Sequence, residues 1–201
     1  MAFPRVPKKY ADKTRVERAI DNYAAMEKPG IGDLNYVDVV AQVERGIDKY
    51  RAAALNMTVD ELEDERHQSG ILAHFLAASG DPRPHSRCHA HAIVSGAHQY
   101  AATLRAIIAR FRLRIDDPDN GCWLPENTAA ASHMPKRLKN AIPHSRIHRY
   151  NYYFWLRREI NPYTTQTLGQ LRQVLNIIEF RIQSGSYPKY VMNRKSEGLP
   201  A

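Results

Sequence analysis

The sequence predicts a mainly α-helical protein with a small β element, which is an α+β fold. Apolar residues recur at helical spacing in most segments, whereas alternation typical of a strand is confined to residues 86–94 and to a short stretch that follows the turn at 119–121. Hydrophobic residues make up 43% of the 201 residues, which is enough to form a core. The two cysteines, Cys88 and Cys122, cannot form a disulfide framework. We expect both to be small core residues, with a metal-binding role for Cys88 as the alternative.

Residues 1–80 are predicted to be a helical region that carries no catalytic chemistry and acts as a docking platform or cap. A Pro-containing lead-in at 1–12 precedes predicted helices at 13–27, at 36–56 and from Thr58 to about Ala78. The third helix begins with a T-x-x-E capping box. The run Gly80-Asp81-Pro82-Arg83-Pro84 breaks the chain and separates this region from the next.

Residues 81–185 are predicted to form the functional domain, and residues 186–201 a mobile tail. The predicted order is a strand at 86–94, a helix at 98–112, a short strand that ends near Pro125, irregular chain at 126–143, and helices at 144–160 and 164–183. No apolar run approaches the roughly 18–20 residues that a membrane span needs, so we expect no membrane insertion.

Positive charge is concentrated in the second part of the chain. Residues 81–201 contain 18 Lys and Arg against 8 Asp and Glu, whereas residues 1–80 contain 11 against 13. A basic region of this size indicates a phosphate-bearing partner, although a merely solvated basic surface is an equally good interpretation of charge alone.

Three histidines and one asparagine fall in an order that predicts a metal site. His91 lies near the end of the predicted strand, Asn120 precedes the second strand, and His144 and His148 are four residues apart on a predicted helix. Spacing of four residues puts two imidazoles on one helix face, where they can share a metal ion. Each feature alone is common in surface or core histidines, but the combination is more specific.

These motifs resemble those of the HNH (His-Me finger) nucleases, within the branch named for an Ala-His-His motif and found as toxin domains of bacterial secretion effectors. The chain contains Ala90-His91-Ala92-Ile93-Val94, then Asn120-Gly121-Cys122-Trp123-Leu124-Pro125, then His144-Ser145-Arg146-Ile147-His148. The resemblance covers roughly residues 85–160. It implies a ββα-metal core, with His91, His144 and His148 as metal ligands and Asn120 as the residue whose side chain holds the loop beside the catalytic strand.

Position 92 departs from the family pattern. The resemblance implies a histidine there, acting as the general base that deprotonates the attacking water, but the chain has Ala92. A positioned base contributes about 10²–10⁴-fold to a rate. We therefore expect this chain to be a catalytically disabled form, by engineered replacement rather than by natural decay, because the surrounding motifs are intact.

The implied activity is hydrolysis of phosphodiester bonds in DNA, with RNA as the other candidate substrate, by means of one divalent metal ion. Mg²⁺ or Mn²⁺ is the expected working ion, and three imidazoles also suit Zn²⁺ or Ni²⁺. Candidate phosphate-binding residues flank the motifs and occupy the loop before the histidine pair. They are Arg87, Lys136, Arg137, Lys139, Arg146 and Arg149.

The resemblance also implies an antibacterial effector with a cognate immunity protein, expected to be acidic. No classical signal peptide is visible at the N-terminus, so we expect secretion by another route and action in the cytoplasm of a target cell. One alternative is a non-catalytic nucleic-acid-binding protein with a structural metal site, which a native Ala92 would favour. A second alternative is an interaction protein whose basic face meets an acidic partner.

Overall fold

The computed structural model describes residues 8–200 and confirms the predicted α+β fold class, with helices surrounding one two-stranded antiparallel sheet. The chain divides into two compact units, of which the first ends at Lys49 and the second begins at Tyr50. This division lies well before the break at Gly80 that the sequence indicates. The first part of the predicted lead-in, residues 1–7, lies outside the described residues.

The helices of the first unit are α1 (Arg15–Ala24) and the greater part of α2 (Ile31–Ala53). Thr14 begins α1 with a capping box, in which its hydroxyl accepts from the Glu17 amide while the Glu17 carboxylate accepts from the Thr14 amide. The sequence predicts α2 only from residue 36. It begins already at Ile31, where the Asp33 carboxylate accepts a hydrogen bond from the Gly30 amide.

The predicted single helix from Thr58 to Ala78 is wrong, because the structure contains two helices separated by residues 64–68. They are α3 (Val59–Glu63) and α4 (Ser69–Ala78). Long-range hydrogen bonds hold the intervening chain out of the helix. The Glu65 carboxylate accepts from the Ile115 amide at 3.0 Å, and the Asp116 carboxylate accepts from the Gln68 amide at 2.9 Å.

The sheet consists of β1 (Cys88–Ala92) and β2 (Gly121–Pro125). Their register pairs His91 with Cys122 and Ala92 with Gly121. Helix α4 packs on one face of the sheet: a Cβ atom at Gly121 would lie 2.5 Å from Leu72 Cδ1. Glycine at this position therefore allows the leucine side chains of α4 to approach the strand closely.

The remaining helices enclose the sheet and complete the core of the second unit. They are α5 (Ala102–Arg110), α6 (His144–Ile147), α7 (Tyr150–Glu159) and α8 (Leu168–Ser184). Short 3₁₀ turns occupy Gln99–Ala101, Pro118–Asn120, Thr128–His133, Lys136–Leu138 and Lys189–Met192. Fully buried core side chains include Leu72, Ile93, Leu124, Trp155 and Leu175. Both cysteines are buried and free, as expected.

The segment that the sequence predicts to be a mobile tail packs against α7. Val191 is completely buried. The buried Asn151 amide donates to the carbonyls of Tyr190, Arg194 and Glu197, and its oxygen accepts from the Ser196 amide. One polar side chain thus satisfies four backbone groups of this segment, a long-range arrangement that local composition does not reveal. Within residues 8–200, none of the helices has the length and apolar character needed to cross a membrane.

Candidate metal centre

His91 anchors the site from the sheet. It is the fourth residue of β1, and only 1% of its surface is exposed. Successive strand residues point to opposite faces, so His91 lies on the face opposite α4, the same face as His89. The ring centroid of His91 lies 5.3 Å from that of His144 and 5.2 Å from that of His148.

His144 and His148 do not share one continuous helix, which corrects the predicted helix at 144–160. Helix α6 ends at Ile147, and His148 has φ −74° and ψ 64°. These angles, with the 2.7 Å hydrogen bond from the Arg149 amide to the Ile147 carbonyl, define an inverse γ-turn. The two rings are nevertheless 5.3 Å apart, so the turn preserves the proximity that the spacing predicts.

The three histidines offer one nitrogen each, and these atoms all lie within 4.8 Å of one another. In residues 8–200, this is the cluster of histidine, cysteine or carboxylate groups whose arrangement suits a metal ion. Imidazole nitrogen is a good ligand for borderline divalent metals. The donor set thus fits a borderline divalent metal ion.

Two buried tyrosines orient the rings. The Tyr152 hydroxyl donates to the Ile93 carbonyl at 2.9 Å, so its oxygen is left to accept from His91 Nε2 at 3.3 Å. His91 Nδ1 therefore keeps the lone pair for a metal. His148 Nδ1 lies 3.0 Å from the Tyr153 hydroxyl, which leaves its Nε2 for the metal. Hydrogen bonds to the non-ligating nitrogen commonly fix metal-binding histidines in this way.

The surroundings keep all three imidazoles neutral. Burial lowers the pKa of His91 well below its usual value, and the neighbouring His148 and His144 add to this effect. Burial, together with His148, lowers the pKa of His144 to about 4. Loss of hydration also lowers the pKa of His148, with a further contribution from His98. Neutral imidazoles hold the lone pairs that a metal requires, so the triad is ready to bind at neutral pH.

A cavity of about 820 Å³ opens beside the triad. His144 and His148 line it, together with His89 from β1 and His67 from the break before α4. Its volume falls within the range of ligand pockets, roughly 300–1,000 Å³. Substrate can therefore approach two of the three candidate ligands from this side.

A family model described as "a nuclease family of the HNH/ENDO VII superfamily with conserved AHH" matches residues 72–180, more than half of the chain. The chain belongs to this AHH family of nucleases. No curated protein matches it, and no solved structure does. The AHH match begins in α4, before the predicted domain start at 81, and extends through most of α8.

The resemblance places the AHH motif at Ala90-His91-Ala92, at the end of β1. Ala92 is buried, with 2% of its surface exposed. It pairs with Gly121 and therefore lies on the sheet face that α4 covers. The methyl group cannot accept a proton, so the base that the family resemblance implies is missing at this position.

Asn120 joins the two strands at the end beside the site. Its completely buried side chain accepts from the Val94 amide at 2.9 Å and donates to the carbonyls of Val94 and Ile115, at 3.1 and 2.8 Å. These bonds hold the exit of β1 against the entry to β2. The geometry agrees with a loop-holding role and places Asn120 outside direct contact with the triad.

The six candidate phosphate-binding residues fall in separate places. Arg146 and Arg149 line a second cavity, of about 590 Å³, with Tyr100, Tyr150 and Lys195. Arg87 pairs with Glu126 at 2.8 Å. Lys136, Arg137 and Lys139 are exposed, and Arg137 pairs with Asp81 at 2.5 Å. Arg146 and Arg149 thus share their cavity with two aromatic rings, whereas Lys136 and Arg137 line another cavity, of about 670 Å³, with the single ring of Phe180.

Three residues of the site escape the sequence reasoning. Tyr152 and Tyr153 are buried in the core, and their hydroxyls also contact His91 and His148. His67 lies in a region expected to carry no chemistry, yet it lines the cavity. An aromatic pair following H-x-x-x-H could have indicated the tyrosines, whereas no local signal indicates His67.

Proposed function

We propose that this chain is an endonuclease that hydrolyses phosphodiester bonds of DNA with a single divalent metal ion held by His91, His144 and His148. The observation that carries the proposal is the convergence of three neutral imidazoles beside a cavity in a member of a nuclease family. When bound, such an ion supplies Lewis-acid stabilisation of charge that develops on the scissile phosphate.

The protein residues have distinct tasks in this proposal. The triad binds the ion, and the hydroxyls of Tyr152 and Tyr153 hold the rings of His91 and His148 in place. Asn120 keeps the ends of the two strands together. Arg146, Arg149 and Lys195 attract the nucleic-acid backbone, and Tyr100 and Tyr150 offer ring faces to unpaired bases.

Ala92 is proposed to attenuate hydrolysis without affecting metal or DNA binding. A histidine there would supply a base on the α4 side of β1, with the usual gain of about 10²–10⁴-fold. We therefore keep the hypothesis that this chain is a disabled form of a more active enzyme. The second candidate function is a non-catalytic nucleic-acid-binding protein with a structural metal, and Ala92 is the observation that favours it.

The biological setting is proposed on the resemblance to effector toxin domains. The chain would be a secreted antibacterial effector that acts in the cytoplasm of a target cell. A cognate immunity protein would neutralise it, and the excess of basic residues in 81–201 favours an acidic one.

Nicking of supercoiled plasmid tests the function. The chain and its Ala92→His variant are incubated with Mg²⁺, Mn²⁺, Zn²⁺ or Ni²⁺, with EDTA as control, and a parallel reaction contains RNA. The proposal predicts EDTA-sensitive nicking that is faster in Ala92→His, with DNA cut in preference to RNA. If neither protein cuts in any metal but both bind metal and DNA, the structural-metal alternative replaces the nuclease proposal.

A further inference from the structure

His67 lies in the non-helical segment between α3 and α4, far in sequence from the family motifs. Its side chain is 26% exposed and lines the cavity that His144 and His148 also line. It is not a member of the triad. It is close enough for its charge to act with burial and the other histidines in lowering the pKa of His91 and His144.

A buried carboxylate orients the His67 ring. His67 Nδ1 lies 2.5 Å from Asp116 Oδ1, and only 2% of the Asp116 side chain is exposed. The other oxygen of Asp116 accepts from the Gln68 amide at 2.9 Å. Because an ionised carboxylate can only accept, Nδ1 carries a hydrogen, and in the neutral ring Nε2 then holds the lone pair. Histidine held by carboxylate in this way is the arrangement of an oriented general base.

His67 and Asp116 lie on the side of the sheet that Ala92 faces, where the family motif would have its second histidine. Ala92 belongs to the sheet face that α4 covers, and His67 immediately precedes α4. The loop after β1 also touches the His67 backbone. A Cβ atom at Gly96 would lie 2.8 Å from the His67 nitrogen and 2.5 Å from the Glu65 carbonyl oxygen. The loop that follows Ala92 is thus packed against His67.

We propose that His67 is the general base of this chain in place of the histidine absent at position 92, and that Asp116 is its positioning residue. The inference rests on the proposed nuclease function. Nε2 of His67 removes a proton from a water molecule as the water oxygen forms a bond to phosphorus. The bond from phosphorus to the 3′ oxygen breaks, the leaving oxygen takes a proton from solvent, and His67 returns its proton to solvent.

His89 is the rival base, because it lines the same cavity. Its Nε2 lies 3.9 Å from Glu126 Oε2, which is too long for a hydrogen bond, and its side chain is 49% exposed. It also lies on the triad side of β1, with its ring centroid 5.4 Å from that of His144. The oriented nitrogen and the location on the α4 side both favour His67.

A double-mutant cycle in the plasmid-nicking assay tests the inference. His67→Asn keeps a donor for Asp116 but has no basic nitrogen. In the Ala92 chain it is expected to lower the nicking rate by about 10²-fold or more, and in Ala92→His by less than about threefold, because the introduced histidine then supplies the base. His74→Asn, an exposed histidine of α4, is the control and is expected to change little. A large loss for His89→Asn in the Ala92 chain, with little loss for His67→Asn, would identify His89 as the base and overturn the inference.

Three further outcomes of this assay would overturn the inference. Equal losses from His67→Asn in the two backgrounds would mean a structural role and overturn the inference. An inert Ala92 chain beside an active Ala92→His variant would overturn it too, while leaving the nuclease proposal intact. Inactivity of both in every metal would overturn both proposals.

A measurement on the metal-free protein is independent of activity. Nitrogen-15 NMR of labelled histidine at about pH 8 is expected to show His67 with hydrogen on Nδ1 and none on Nε2, the signal being assigned by its loss in His67→Asn. In Asp116→Asn the Gln68 amide requires the side-chain oxygen, so the NH₂ group faces His67 and the tautomer inverts. That variant should lose nicking as His67→Asn does, with metal affinity unchanged by calorimetry. A parent His67 protonated on Nε2 would contradict the inference.

Discussion

The two faces of β1 differ in what they carry and in how the sequence reveals it. The face with His91 meets His144 and His148, and its chemistry is encoded by motifs of short spacing. The face with Ala92 meets α4, and its polar chemistry comes from His67 and Asp116, which are remote from each other along the chain. The absence of a motif residue can therefore be interpreted only when the residues that pack against its position are known.

The largest expected effect comes from removing one histidine of the triad. His144→Ala should weaken binding of Zn²⁺ or Mn²⁺ by about 10²-fold or more, because it removes one of three metal ligands. It should also lower nicking by Ala92→His by about 10³-fold. Calorimetric metal titration checks the first effect. His133→Ala, an exposed histidine outside the triad, is the matched control, and equal metal affinity in the two variants would exclude His144 as a ligand.

The side chain of Asn120 connects the ends of the two strands, so its removal should destabilise the whole second unit. Asn120→Ala removes three buried hydrogen bonds and leaves backbone groups of Val94 and Ile115 unsatisfied. The free energy of unfolding should fall by about 2–4 kcal/mol. Urea denaturation measures it, and Asn176→Ala, at an exposed position of α8, should change it by less than about 0.5 kcal/mol. A loss below about 1 kcal/mol for Asn120→Ala would remove its structural role.

The smallest expected effect is a pH-dependent change in stability that arises outside the histidine triad. Burial raises the pKa of Glu179 on α8 to about 7, with Asp81 adding to the effect. This pKa is higher than the pKa of the same carboxyl in the unfolded chain. The stability that Glu179 contributes is therefore fully present below about pH 4.5 and is lost as the pH rises through 7. Glu179→Gln should therefore be more stable than the parent at pH 8, by on the order of 1–2 kcal/mol, and equal to it at about pH 4.5.

Thermal unfolding across this pH range checks the difference, with Glu27→Gln, at an exposed position, as control. A Glu179→Gln advantage that is the same at both pH values would show that the gain does not come from ionisation.

Local signals were sufficient for much of the fold and for the triad. The alternation at Cys88–Ala92, the Asn120-Gly121 turn and the H-x-x-x-H spacing each depend on neighbours within a few residues. The break at 64–68 was missed because Glu65 and Asp116 form it through partners about fifty residues apart. The γ-turn at His148 was missed because spacing alone does not distinguish a continuous helix from two helices joined by a tight turn.

The C-terminal segment and His67 were not predicted for the same reason, because their partners are distant along the chain. The buried side chain of Asn151 binds the backbone of residues 190–197, which are about forty residues further along the chain, whereas the sequence predicts only a mobile tail there. His67 resembles any surface histidine until Asp116 and the cavity are seen together. Sequence therefore predicted the three histidines that the structure brings together, but not the pair of His67 and Asp116.

The proposed metal centre is tested most directly by an anomalous diffraction map from crystals of the chain soaked in Mn²⁺ or Zn²⁺. We expect one strong peak bonded to nitrogens of His91, His144 and His148, and its loss in His144→Ala crystals. A peak at another site, or none at saturating metal, would contradict the claim that these three histidines form the metal centre of a nuclease.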